Sequence, residues 1–208
     1  MKLKPTPMCV ARSFCLFVAM AMLVVSSLVL THGWMLGHEA TIRLVPEFRA
    51  MVPSTALCFA LLGIAFLQLF LPRGRVVTSS VAWITGVVVM ICVANLATVY
   101  VVGGSGIDWV FRASRFGTDR MAIMTSVGLI VCSACILAIL TFRDRASDTM
   151  TFVALLGFST SLSVVAGHAF DARSLYKMRL FDGVSLPSAL LFALFFAAVA
   201  LLQIQHDE

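Results

Sequence analysis

The chain has 208 residues, of which 61% are hydrophobic and only 12% charged, and its net charge is +5. Soluble domains average about 25% charged residues, and the mean hydropathy of +1.02 implies more apolar surface than one water-soluble core can hide. The composition excludes an ordinary soluble enzyme and gives no nucleic-acid-binding signature. It predicts an integral membrane protein.

Six apolar runs have the length of a membrane-spanning helix, which needs roughly 20 residues. Because lipid offers no partner for backbone polar groups, and the runs do not alternate in polarity as barrel strands do, we predict helices. The runs are about Phe14–Gly33, Val52–Leu71, Thr78–Val102, Met121–Phe142, Thr149–His168 and Val184–Ile204. They leave no stretch for a soluble catalytic domain. The prediction is therefore one all-α integral membrane domain with six transmembrane helices over residues 1–208, and no enzyme activity.

The first span follows a basic segment that would also suit a signal peptide. Its apolar run is too long for an ordinary signal, and no clean A-x-A site follows, so we predict a retained helix. Basic loop residues divide seven against eight between the two sides of the membrane, and this count sets no orientation. The basic N-terminus and the short basic loops "PRGRVV" and "RDRASD" favour a cytoplasmic location for both termini.

A nine-residue motif recurs at the start of the second, fourth and sixth spans. Its fifth position is always a hydroxyl residue and its sixth is always small. The three copies are MVPSTALCF from Met51, MAIMTSVGL from Met121 and VSLPSALLF from Val184, with the hydroxyl residues Thr55, Thr125 and Ser188. Three copies at equivalent topological positions predict an internal repeat of three similar, parallel helical hairpins, over about residues 14–72, 78–142 and 149–204.

The motif has two physical interpretations. A proline such as Pro53 or Pro187 suits the first turn of a helix, where its missing N–H costs nothing. A hydroxyl beside a small residue can bind the unpaired N–H groups of that turn, or lets a neighbouring helix approach closely. The simpler interpretation is thus a helix start and packing notch. The alternative is that the three hydroxyl residues ring a ligand pocket at the outer face.

Two segments resemble the membrane regions of many bacterial sensor histidine kinases and diguanylate cyclases. MVPSTALCFALLGIAFL, from Met51, resembles their M-x-P-x-T-A-L-x-F-x-L-x-G-x-A-L pattern. GHAFDARSLYKMRLFDGVSLPSALLFALFF, from Gly167, resembles their last hairpin. The resemblance extends from about residue 14 to residue 204. It implies a six-helix sensory input module of the MASE-like kind, in the bacterial cytoplasmic (inner) membrane, with both termini in the cytoplasm.

In those proteins the last helix continues into PAS, kinase or GGDEF domains. This sequence has no phosphoacceptor histidine motif, nucleotide-binding glycine box or GGDEF motif, so the output chemistry does not transfer. We expect a sensor in the lipid bilayer that passes its signal to an output domain or a partner. It would act either as a homodimer or with a partner signalling kinase or cyclase of a two-component system.

His32 and His168 lie near the outer ends of the first and fifth spans, 19 and 16 residues before their motifs. Imidazoles at equivalent depth in two repeats would suit haem or a metal, with His38 as a third candidate. Quinone is a further possible cofactor. The simpler interpretation is histidines among polar headgroups, and no dedicated metal motif accompanies them.

The remaining polar features are compatible with packing. Cys132 and Cys135 have thioredoxin-type spacing, but no cation lies near them in mid-span, which favours a packing role over a redox role. Asn95, in the third span, is expected to turn inward and bind another helix, or to mark a site. No span carries Asp, Glu, Lys or Arg well inside its apolar core, which disfavours an ion-coupled transporter. A small-molecule transporter or an accessory subunit of a larger complex stays a further alternative.

Two outer loops, residues 103–120 and 170–181, interleave aromatic and basic side chains. They would suit an interfacial aromatic and basic belt. The alternative is an amphipathic helix in each loop that acts as a lid over the bundle.

Overall fold

The structure is a computed structural model that describes residues 7–43, 49–72, 74–101, 108, 120–142, 148–169 and 184–204. The secondary structure in these ranges is helical, which confirms the all-α prediction for them. The helices are α1 (Pro7–Leu28), which continues as a π-helix (Val29–Met35), a short α2 (Glu39–Ile42), α3 (Pro53–Gln68), α4 (Arg75–Val101), α5 (Ile123–Thr141), α6 (Asp148–Ala169) and α7 (Leu186–Ile204).

Within the described ranges, five helices are long and apolar enough to cross a membrane: α1 with its π-helical end, α4, α5, α6 and α7. Their bounds follow the predicted runs closely. Helix α3 is shorter, with 16 residues, or about 24 Å at 1.5 Å per residue against a hydrocarbon core of about 30 Å. Pro72 accounts for its early end, because a proline disfavours helical backbone in the residue before it and clashes with the carbonyl four residues back, at Gln68.

Helices that follow one another in the chain pack side by side. Helix α1 packs chiefly on α3, α4 on α5, and α6 on α7. Further contacts of α1 with α7 and of α3 with α4 join these pairs. The helices therefore form one connected bundle.

Phenylalanine side chains of α3 and α7 fill the centre of this bundle. The ring centroids of Phe59 and Phe192 lie 4.8 Å apart, and those of Phe66 and Phe195 lie 5.2 Å apart. All four side chains are buried. Tilted ring pairs of this kind add about 0.5–1.5 kcal/mol each beyond the area they bury, so these long side chains link α3 to α7 across the centre of the bundle.

Helices α4 and α6 present large apolar side chains to the outside. Trp83 is 74% exposed, and Met90, Phe152 and Leu156 are also exposed. Such faces would be costly in water, whereas lipid tails are as apolar as these side chains. The outer surface is therefore that of a membrane protein.

Two glycines bring α5 and α6 close to rings of α7. A Cβ atom on Gly128 would lie 2.8 Å from Cζ of Phe192, and one on Gly157 would lie 2.7 Å from three ring atoms of Phe196. Glycine at a helix interface lets two helices approach closely. Neither position has room for a side chain unless the facing ring moves.

We expect Gly157→Ala to lower the melting temperature of the protein in detergent, because the added methyl group must displace the Phe196 ring, at a cost of about 1–3 kcal/mol. Gly86, on α4, has open space where its Cβ would stand. Gly86→Ala is the matched control and should leave the melting temperature unchanged or raise it. Equal melting temperatures for Gly157→Ala and the wild type would contradict the close approach.

Candidate functional site at three helix starts

Helices α3, α5 and α7 begin at the same register of the motif. In each copy the third residue is the first helical residue: Pro53, Ile123 and Leu186. In each copy the N–H of the sixth residue donates to the carbonyl of the second at 3.0 Å, from Ala56 to Val52, from Ser126 to Ala122 and from Ala189 to Ser185. The motif thus has the same backbone role three times.

The hydroxyl residues at the fifth position lie inside the protein. Thr55, Thr125 and Ser188 are all buried, as are Pro53 and Pro187 in the first turns. The fifth position therefore faces the interior at each start.

The three helix starts lie on one side of the bundle. Asp108 binds backbone groups at the starts of both α3 and α5. The thiol of Cys15, near the beginning of α1, lies 3.7 Å from the carbonyl oxygen of Ala198, near the end of α7. Because α7 ends where α1 begins, α7 starts at the end of the bundle to which α1 leads. This is the end where α3 also starts.

A side-chain N–H group binds the first residue of each motif. We call the three acceptors the first-position carbonyls. Each donor belongs to the long helix before the motif, or to its π-helical end. The pairs are Trp34 Nε1 with Met51 O at 2.9 Å, Asn95 Nδ2 with Met121 O at 3.2 Å, and His168 Nε2 with Val184 O at 3.1 Å. Since a carbonyl only accepts, Nε2 of His168 carries the hydrogen in its bond.

Asn95 extends its contact to a second motif residue. It is fully buried, and Nδ2 also donates to the Ser126 hydroxyl at 3.0 Å. One amide nitrogen of α4 therefore binds the first and the sixth positions of the following motif. This is the inward-turned, interhelical amide that the sequence predicts.

The segment after α1 holds Met51 from both sides. The Met51 N–H donates to Ile42 O of α2 at 3.0 Å, and its carbonyl accepts from Trp34. Gly33 of the π-helix lies so close to the Ile42 side chain that a Cβ atom would collide with it. The π-helix and α2 therefore form one packed unit around the residue that leads into α3.

Asp108 connects two of the helix starts. Its carboxyl is 1% exposed, and it accepts from Ser54 N at 3.3 Å and from Met121 N at 3.0 Å. The Ser54 N–H is one of the unpaired donors in the first turn of α3. Asp108 is not predicted from the sequence as a site residue, because the only signal is an acid in an aromatic, arginine-rich loop.

The surroundings of Asp108 have two opposing effects on the pKa of its carboxyl group. Burial raises the pKa of this carboxyl from its ordinary value of 3.8, and the hydrogen bonds from Ser54 and from the Met121 N–H lower it, with burial the larger effect. The third helix start has its own cap, in which the Ser188 N–H donates to the Ser185 hydroxyl at 3.4 Å. Each helix start thus binds a polar side chain: the Asp108 carboxyl group at α3 and α5, and the Ser185 hydroxyl group at α7.

The candidate cofactor residues have different surroundings. His168 is buried and bound to Val184 O, whereas His32 and His38 are exposed and their ring centroids lie 6.1 Å apart. Within the described ranges, no three or more His, Cys, Asp or Glu side chains are grouped to hold a metal ion. A haem or quinone site stays a prediction.

The other sequence features are placed only in part. Cys132 and Cys135 are buried on α5. The outer loops at residues 103–120 and 170–181 lie outside the described residues, apart from Asp108 and Arg120.

Comparison with known proteins yields no match: no family model, no curated protein and no solved structure matches this chain. The resemblance of the motifs to sensor membrane regions therefore stays a prediction. The function must be inferred from the helix starts and their hydrogen bonds.

We expect Asp108→Asn to destabilise the protein by about 1–3 kcal/mol, because an amide offers one acceptor oxygen to two N–H donors and its own NH₂ group faces the second. The free energy of unfolding in detergent measures this loss. Asp148→Asn, at an exposed residue in the first turn of α6, is the matched control.

The pH dependence separates the charge of Asp108 from its packing. Because the folded-state pKa of Asp108 is raised, the stability that it contributes is fully present below its ordinary pKa and is lost as the pH rises through the raised value. The wild type should therefore lose more stability than Asp108→Asn as the pH rises above 3.8, the ordinary pKa of this carboxyl group. Parallel pH profiles for the two proteins would contradict the assignment.

Proposed function

We propose that this chain is a non-enzymatic sensory input module with six membrane-spanning helices, of the MASE-like kind, in the bacterial inner membrane. A signal at the outer face or within the bundle shifts the packing of its helices, and the shift reaches a cytoplasmic output domain or partner. The observation that carries the proposal is the set of three hydrogen bonds to the first-position carbonyls, which join each long helix to the start of the next.

The first support is the likeness of three successive helix pairs. In each pair, a side chain near the end of the first helix donates a hydrogen bond to a backbone carbonyl just before the second helix. In the first pair, Arg12 of α1 also donates to Phe70 O, beyond the end of α3, at 3.2 Å. The contacts at both ends of the first pair support an antiparallel arrangement of α1 and α3, which the proposed repeat requires of each pair.

The second support is that the helix starts are coupled. Asp108 binds the starts of α3 and α5 with its two oxygens. Movement at one start therefore changes the partners of the other. A signal relay needs such coupling. A signal can shift a protein between two arrangements only if it stabilises one arrangement more than the other.

Helix α7 is suited to carry the output. Its side chains Phe192, Phe195 and Phe196 are buried against other helices. As the last helix described, it leads toward the C-terminus, where sensor proteins of this kind carry their output domains. A change in the packing of the other helices would therefore move α7, and α7 would pass this movement to an output domain or partner.

The proposed six spans include α3. Met51 and the extended residue Val52 before it, and the turn at Leu69–Phe70 after it, add length to its 16 helical residues. Helix α3 also packs on both α1 and α4. It therefore exposes less of its surface to lipid than a helix at the edge of the bundle would.

A topology test addresses this arrangement. Reporter domains that are active on only one side of the membrane can be fused after Gly74 and after Ile204. With six spans and a cytoplasmic N-terminus, both fusions should report the cytoplasm, whereas a fusion within residues 44–48 should report the outside. Equal signals from the fusions within residues 44–48 and after Gly74 would contradict six spans, because α3 would then not cross the membrane.

We expect loss of a donor to a first-position carbonyl to change signalling. Trp34→Phe, Asn95→Leu and His168→Phe each remove the donor and keep much of the side-chain volume. With a kinase or cyclase reporter fused to the full chain, each should shift basal output by about fivefold, the change that a hydrogen bond of about 1 kcal/mol makes to an equilibrium.

The matched control is Trp83→Phe, the same change at an exposed position of α4, which should leave output unaltered. Amounts of each variant in the membrane must be measured alongside. Wild-type output from all three donor variants, at wild-type amounts, would refute a role of these bonds in signalling.

A further inference from the structure

We infer that His32 and His38 form a binding site for one divalent transition-metal ion, of the zinc or copper type, at the end of the first membrane-capable helix. The two side chains are exposed, and their ring centroids lie 6.1 Å apart with an angle of 30° between the ring planes. They belong to one stretch of backbone, seven residues from end to end.

The spacing of the two rings fits a shared ion. Metal–imidazole bonds of about 2.1 Å place each ring centre about 3.3 Å from the metal, so two rings that share an ion lie at most about 6.5 Å apart. The observed 6.1 Å is within this limit. Both side chains are exposed and can rotate to bring the rings closer, as a bent geometry requires.

The backbone fixes the two residues next to each other. His32 lies in the π-helix, an element that is rare and often occurs at functional sites. The chain then reverses at Gly37, whose φ of 79° lies in the left-handed region, and the His38 N–H donates to His32 O at 3.1 Å. The pair is thus built by the main chain and does not depend on flexible side chains alone.

The ligand chemistry selects the class of ion. Imidazole nitrogen suits zinc, copper and nickel, whereas calcium and magnesium require oxygen ligands. The nearby carboxylate of Glu39 is engaged by Arg43 at 3.5 Å. Since no third His, Cys, Asp or Glu completes a metal group within the described ranges, water fills the remaining positions, and the ion exchanges readily.

The site lies on the unit that holds Met51. His32 belongs to the π-helix with Gly33 and Trp34, and His38 directly precedes α2, which ends at Ile42. An ion between the two rings would fasten the π-helix to the start of α2 and so tighten the hold on Met51. The ion site is independent of signalling; this effect on the helix start rests on the proposed function.

Zinc titration of the purified full chain tests the site. The protein carries an affinity tag without histidine, is kept in detergent, and is titrated with Zn²⁺ alone by calorimetry. One ion should bind per chain, and His32→Ala and His38→Ala should each weaken binding by about tenfold or more. Electron paramagnetic resonance with Cu²⁺ should show two nitrogen ligands in the wild type and one in each variant. Unchanged zinc affinity in both variants would overturn the site.

A second pair of variants tests the backbone arrangement with both histidines retained. Gly37→Ala should weaken zinc binding severalfold, because alanine disfavours the left-handed backbone that returns His38 to His32. Gly74→Ala, in open space and without a positive φ, should bind as the wild type does. Equal affinity for both glycine variants would overturn the pre-formed pair.

The two proposals fail separately. Absence of zinc binding overturns the ion site whatever the signalling reporter shows. Wild-type reporter output from all three donor variants overturns the proposed signalling role, whatever the zinc titration shows.

Discussion

The structure depends on one constraint: in a bilayer, each backbone polar group must find a partner within the protein. The start of a helix is where this is hardest, since the first N–H groups have no partner within the helix and the first-position carbonyls lie outside its regular hydrogen-bond ladder. The chain meets the requirement three times with a side chain from the preceding long helix. Indole, amide and imidazole serve equally as donors to Met51, Met121 and Val184.

This solution makes the helix starts dependent on one another. A carboxyl group has two oxygens, and Asp108 directs one to the start of α3 and the other to the start of α5. Loss of either contact would leave a buried polar group without its partner, which typically costs 1–3 kcal/mol. The starts of α3 and α5 are thus linked through one buried carboxyl group.

Much of the helical framework could be predicted from the sequence, because runs of about 20 apolar residues have few alternatives in a membrane. Asn95 was also predictable, since an amide in a span must turn inward. The length of α3 was overestimated because its apolar run extends to Leu71, whereas Pro72 ends the helix earlier. The donors Trp34 and His168 precede their carbonyls by 17 and 16 residues, but Asn95 does so by 26. Unequal loops thus hide their equivalence from any search for fixed spacing.

Asp108 and the π-helix mark the limit of such prediction. A carboxyl in a loop gives no sign of which distant N–H groups it will bind, because that depends on how the helices pack. The wider turn at Val29–Met35 likewise follows from tertiary contacts, such as Gly33 against Ile42, which no local propensity encodes. Only the histidine pair that this turn creates had a partial signal, in the closeness of His32 and His38 along the chain.

The glycine contacts of α7 have a mechanical consequence. At Gly157 and Gly128 the facing element is the ring of a phenylalanine, Phe196 or Phe192, so the surface on the glycine side is smooth backbone without a protruding side chain. Interlocked side chains resist the sliding of one helix along another. A planar ring over a glycine offers less resistance, because no side chain projects from the glycine. Small shear displacements of α5 and α6 along α7 therefore need no repacking at these two points. Glycine at these two points therefore permits both a short distance between ring and backbone and small sliding movements of the helices.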